Sequence, residues 1–122
     1  ENFFRNLEEK IIIKLLSSSN TVISLGGGSF INDKIRNEVI NNNYSFWLSC
    51  STSTIINRIK NNKKRPLASN LDDNKIGELI TNRSKIYTKA QFKINCDKLT
   101  KKEIANKIVK LYEHNKTKSK YN

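Results

Sequence analysis

The chemistry this 122-residue chain can offer is concentrated in five arginines and one run of glycines. Arg5, Arg36, Arg58, Arg65 and Arg83 stand in a background where the other positive charge is lysine. A guanidinium presents a planar fork of donors that fits a carboxylate or a phosphate, and an ammonium cannot copy it. Arg5 and Glu8 are three apart and share a helix face. They form either a surface ion pair or an arginine fork oriented by Glu8 toward an anionic ligand. Gly26, Gly27 and Gly28 use three of the four glycines in the chain. A triplet of this kind marks either a strained connection or a place where something must come very close to the backbone. Lys63-Lys64-Arg65 is either solvated or folds over phosphates, and Arg83 either complements a helix dipole or grips an anion. His114 reads as solvated, and Phe46 and Trp47 as core aromatics. No Ser/His/Asp or Cys/His set is present and no His/Cys cluster has metal spacing, so no metal ligand is assigned. Cys50 and Cys96 read as reduced cytosolic thiols.

These residues need elements to hold them. Phe4, Leu7, Ile11 and Leu15 recur at helical spacing over Asn2 to Ser17, with Phe3, Ile12 and Leu16 widening the stripe. Thr21 to Leu25 reads as a short buried strand that runs into the glycines. A helix follows from Asn32 to Asn41 on Ile35, Val39 and Ile40, and Tyr44 to Ser49 reads as a second strand. Ser51, Thr52 and Ser53 can cap a third helix, Thr54 to Lys60, with Ile55, Ile56 and Ile59 inward. Asn61 to Asn70 holds the only proline and reads as an exposed loop. Asp72 and Asp73 open a fourth helix that reaches Arg83. Phe92 to Asn95 is a third strand. Thr100 can cap a last helix, Lys101 to Glu113, with Ile104, Ile108 and Leu111 as its core face. His114 to Asn122 is a basic, frayed tail. Helices alternating with short buried strands predict an α/β fold with a parallel sheet, whose ligands sit beyond the carboxyl ends of the strands. The glycines lie on that edge.

The size suits one domain. The formal net charge of +12 and pI near 9.9 fit nucleic acid, an acidic surface or a phosphorylated ligand. The charge is scattered lysine among many asparagines, which favours compositional drift over a dedicated basic face. No apolar run approaches a membrane span, and no signal peptide is visible.

Taken in order, "FFRNLE", an apolar run into "GGG", "FWLSCS", "NRIKNNKKRPL", "NRSKIYTKA" and a closing amphipathic helix resemble shikimate kinase. The resemblance spans Phe4 to about Leu111. It implies a three-layer parallel sheet of the P-loop-kinase kind with flanking helices, within residues 1–113. It implies transfer of the γ-phosphoryl of ATP, with Mg²⁺, to the 3-hydroxyl of shikimate. By that resemblance Arg5 and Arg83 grip the shikimate carboxylate, Glu8 orients the site, and the Gly26–Gly28 backbone borders the substrate. Residues 61–70 form the lid, Arg65 swings against the ATP phosphates as the catalytic arginine, and Arg58 lies against adenine. Shikimate and ATP are then the partners of a cytoplasmic enzyme, monomeric when complete, with no membrane and no specific nucleic acid.

The departures are large. The family opens with a strand, a phosphate loop of the G-x-x-x-x-G-K-[ST] kind and an Asp-x-Asp element, and none is in these 122 residues. Ala68 stands where a second Leu usually follows Arg-Pro-Leu, and Gln91 where Asp commonly follows Ala. The leading expectation is a shikimate kinase fragment without its first two strands, inactive alone, with ATP and Mg²⁺ bound mainly by the absent part. The alternatives are a non-catalytic relative that lacks the phosphate loop and a small basic nucleic-acid-binding domain.

Overall fold

The computed structural model describes residues 2–62 and 72–120, the last four in backbone only. Its elements in chain order are α1 (Asn2–Leu16), α2 (Asp33–Asn42), β1 (Phe46–Ser49), α3 (Thr52–Lys60), α4 (Asp73–Tyr87), β2 (Phe92–Asn95) and α5 (Lys101–Lys120). β1 and β2 pair in parallel, with Phe46 opposite Phe92 and Ser49 opposite Asn95. A parallel pair needs a crossover connection, and here α3 and α4 lie between the two strands in sequence. The expected α/β alternation is therefore present.

Local chemistry sets the helix starts. Asn32 caps α2 by accepting the Ile35 N–H, Ser51 caps α3 by accepting that of Thr54, and Asp72 caps α4 by accepting that of Lys75. At α5 the Thr100 hydroxyl accepts the Glu103 N–H while Glu103 Oε1 accepts the Thr100 N–H, a reciprocal pair that satisfies two orphan donors. α5 continues to Lys120, beyond the Glu113 end expected from its apolar pattern. The added stretch is rich in lysine, which loses little rotamer freedom in a helix. α4 likewise outlasts its expected end at Arg83 by one turn.

Thr21 to Leu25 was expected to be a strand and is not one. Its side chains alternate as a half-buried strand would, with Ile23 and Leu25 on the core and Val22 and Ser24 outward. Its backbone finds no ladder partner among the described residues. A strand is defined by pairing, so the apolar pattern alone does not produce one.

The main core gathers Leu16, Phe30, Ile35 and Val39, with Ile12, Ile13, Ile23, Leu25, Ile86, Tyr87 and Ala90 packed around them. The broad stripe on α1 is consequently split. Ile12, Ile13 and Leu16 face the core, whereas Phe4, Leu7, Ile11 and Leu15 are 44–59% exposed. Ile40, expected inward on α2, is also exposed. Glu9 joins α1 to the start of α2: it accepts from Asn32 Nδ2 at 3.1 Å and lies 3.5 Å from Lys34 Nζ. No described helix is long and apolar enough to cross a membrane.

Candidate substrate site at the glycine loop

Arg5 lies in the first turns of α1 and Arg83 in the last turns of α4, and the two meet at the glycine run. A Cβ placed on Gly27 would stand 2.8 Å from Arg83 Nη1 and 3.3 Å from the Tyr87 hydroxyl. A Cβ on Gly28 would stand 3.1 Å from Arg5 Nη1. Neither glycine has a positive φ. The glycines are therefore there for space and not for an unusual turn: a side chain would collide with the guanidiniums. Gly26 has more room, its nearest contact being Ser29 Oγ at 3.7 Å from a built Cβ. The Ser29 N–H donates to the Gly26 carbonyl at 3.0 Å and closes the turn.

Glu8 accepts from Arg5 Nη1 at 3.0 Å, and the Arg5 side chain is about half exposed. Two guanidiniums thus stand beside bare backbone with one carboxylate among them. An ion pair this exposed contributes only about 0–1 kcal/mol to stability. Its more consequential effect is to fix the direction of the Arg5 fork.

Tyr87 is a residue that sequence reasoning left without a role, although the Arg-x-x-x-Tyr spacing held the signal. Residues four apart on a helix share a face, and both Arg83 and Tyr87 reach Gly27. The Tyr87 hydroxyl donates to the Gly27 carbonyl at 2.5 Å. Its ring packs 6.3 Å from Phe30 and 5.9 Å from Trp47, centroid to centroid. The loop is thereby tied to the core on one side and to β1 on the other.

The remaining predicted residues are not in this group. Arg58 sits on α3 with Nη1 3.7 Å from Cys50 Sγ. Arg65 and nearly all of the expected lid lie outside the described residues. The helices on either side of residues 63–71 are tied together, with Lys60 Nζ 2.7 Å from Asp73 Oδ1. Asp97, just past β2, accepts the Ser51 N–H through Oδ2 at 2.9 Å. Its Oδ1 is buried without a hydrogen-bond partner among the described residues.

The model of the shikimate kinase family matches residues 1–113. The chain belongs to the shikimate kinase family. It is 31% identical over 115 residues to the shikimate kinase of Bartonella henselae, covering 93% of this chain and 55% of that protein. It is 35% identical over 109 residues to that of Sulfurihydrogenibium sp., covering 89% and 65%. The crystal structure of shikimate kinase from Bacteroides thetaiotaomicron superposes with a TM-score of 0.74 at 24% identity, over 95% of this chain and 69% of that one. The α/β architecture is therefore that of the P-loop kinases. The chain spans between about half and two thirds of the length of these curated relatives.

Proposed function

We propose that this chain supplies the shikimate-gripping half and the lid of a shikimate kinase. The reaction is transfer of the γ-phosphoryl of ATP to the 3-hydroxyl of shikimate in the cytoplasm. The observation that carries the reading is the convergence of the Arg5 and Arg83 guanidiniums on the Gly27–Gly28 backbone. Two planar forks beside a floor without side chains suit a small carboxylate that must lie close to the chain. Gly27 has no side chain of its own, and its N–H is assigned as a donor to a ring hydroxyl. Glu8 holds the Arg5 fork in position, so less freedom is lost when substrate arrives.

Arg58 and Asp97 Oδ1, which has no hydrogen-bond partner among the described residues, lie at the carboxyl ends of the paired strands, where open α/β sheets bind ligands. We assign this end to the adenine side of ATP. Arg65 belongs to the lid and meets the phosphates on closure, where it stabilises charge that develops during transfer. Mg²⁺ serves the family's reaction by neutralising phosphate charge. The described residues hold no group of three or more carboxylate, histidine or cysteine side chains fit to bind it. No step through the metal is assigned to this chain.

The experiment is shikimate titration of the isotope-labelled chain, alone and with the phosphate-loop portion of a relative supplied as a separate piece. The expected result is shikimate-dependent shifts at the Gly27 and Gly28 amides, with ATP-dependent phosphorylation only when the second piece is present. Turnover by the chain alone above a no-protein control, or no response at these amides in the reconstituted pair, would overturn the reading.

A further inference from the structure

We propose that Cys50 and Cys96 are a disulfide-forming pair that closes the carboxyl end of the two parallel strands. The assignment stands on register. Phe46 faces Phe92 and Leu48 faces Ile94, so the next rung on the same face is Cys50 opposite Cys96. The first rung shows how closely such partners approach: the Phe46 and Phe92 rings stack with centroids 5.1 Å apart. The last ladder bond reaches the Cys96 N–H, which donates to the Ser49 carbonyl at 2.7 Å, one residue before Cys50. Neighbouring strands lie about 4.8 Å apart, inside the Cα separation a disulfide spans.

The two thiols have unequal surroundings, and this fixes the order of events. Cys50 is half-buried and touches Arg58, whereas Cys96 is buried. Burial, then the charge of Cys50, pushes the Cys96 thiol above its ordinary range. Cys96 is thereby protected from direct attack on external oxidants. Cys50 reacts first. As thiolate it attacks one sulfur of a low-molecular-weight disulfide such as oxidised glutathione, whose S–S bond breaks and releases one thiolate. The Cys96 sulfur, its proton passing to water, then attacks Cys50 and expels the second thiol. Two protein thiols are oxidised and one external disulfide is reduced to two thiols. Arg58 Nη1 stands 3.7 Å from Cys50 Sγ, so the oxidation takes place beside the residue assigned to the adenine side.

The test is incubation of the full chain with oxidised glutathione, native and in concentrated urea, followed by acid quench and tryptic mapping. The diagnostic product is the peptide of residues 37–58 joined to that of residues 94–98, from monomeric protein. The expected result is that it forms about tenfold faster in the native chain than in urea, as a high effective concentration requires. In Cys96→Ser the glutathione adduct on Cys50 should accumulate, and in Cys50→Ser residue 96 should stay unmodified in the native chain. A link that forms no faster natively than in urea, a stable Cys50 adduct in the unsubstituted chain, or cross-links only between molecules would each overturn the proposal.

Discussion

Tyr87 and Gly27 are joined by a hydrogen bond of 2.5 Å although 60 residues separate them in sequence. The bond runs from the last turn of α4 to the glycine run, and it holds the carbonyl of the residue that Arg83 also approaches. Tyr87→Phe removes the hydroxyl and leaves the ring between Phe30 and Trp47. We expect a stability loss of about 0.5–1.5 kcal/mol in denaturant unfolding and several-fold weaker shikimate binding. An unchanged affinity would show that the bond does not position the loop.

The glycines should not be equivalent. Gly27→Ala and Gly28→Ala push a methyl group against Arg83 and Arg5, whereas Gly26→Ala meets only Ser29 Oγ at ordinary contact distance. The atoms displaced are the ends of flexible side chains, and no positive φ is involved. Folding stability should therefore change by less than about 1 kcal/mol in all three. Shikimate binding should fall in Gly27→Ala and Gly28→Ala and survive in Gly26→Ala. Equal loss in all three variants would exclude the crowding explanation.

In a reconstituted enzyme the arginines should separate by kinetic parameter. Arg5→Lys and Arg83→Lys keep the charge and lose the fork, so KM for shikimate should rise about tenfold or more with kcat little changed. Arg65→Ala should lower kcat by about a hundredfold or more and leave shikimate KM near its starting value. A kcat unchanged in Arg65→Ala would remove it from the catalytic role.

The isolated chain should unfold without a sharp transition. Phe3 is 80% exposed and Val22 98%, and the α1 stripe and Leu48 add to this apolar surface. Contiguous apolar surface and unpaired strand edges favour association. Calorimetry should show a broad, concentration-dependent transition, sharpened when the phosphate-loop portion of a relative is added. A monomer whose single transition is as sharp alone as with the added portion would contradict this.

Acid should loosen the start of α5. The Thr100 N–H, helped by its hydroxyl, holds the exposed Glu103 carboxyl below its ordinary range. A carboxyl depressed in the folded state contributes stability above its unfolded pKa and loses it as pH falls through the folded one. Glu103 should therefore titrate at lower pH than in the urea-unfolded chain, with the Thr100 amide resonance following it. Coincident titration in both states would refute the cap.

Much of this was legible in the sequence because it rests on short-range chemistry. Asn32, Ser51, Asp72 and Thr100 are polar residues ahead of apolar periodicity, and each starts a helix as expected. Phe92–Asn95 is a strand at the expected bounds. What was not legible depends on long-range partners. Val22–Leu25 has the composition of a strand, but only a neighbouring chain segment could make it one. The α1 stripe is apolar over more than one face, and periodicity could not say which part the core would take. The spacing of Tyr87 from Arg83 was legible, but its bond to Gly27 appears only once the loop is folded against it.

The split stripe makes α1 a cantilever. Its apolar anchorage begins at Ile12, and Arg5 rides on the overhanging end, about 10 Å away at 1.5 Å per residue. A pivot of about 10° about that anchorage would carry the Arg5 backbone by about 2 Å, and a misplacement of about 1 Å can cost about a hundredfold in rate. The strut against such a swing is polar: Glu9, one turn from Arg5, braced on Asn32 and Lys34. The position of Arg5, the residue proposed to grip substrate, thus depends on Glu9 through the helix as well as on Glu8 at its fork. Salt, which weakens the Glu9–Lys34 arm of that strut but not the apolar hinge, becomes a way to detune the site without unfolding it.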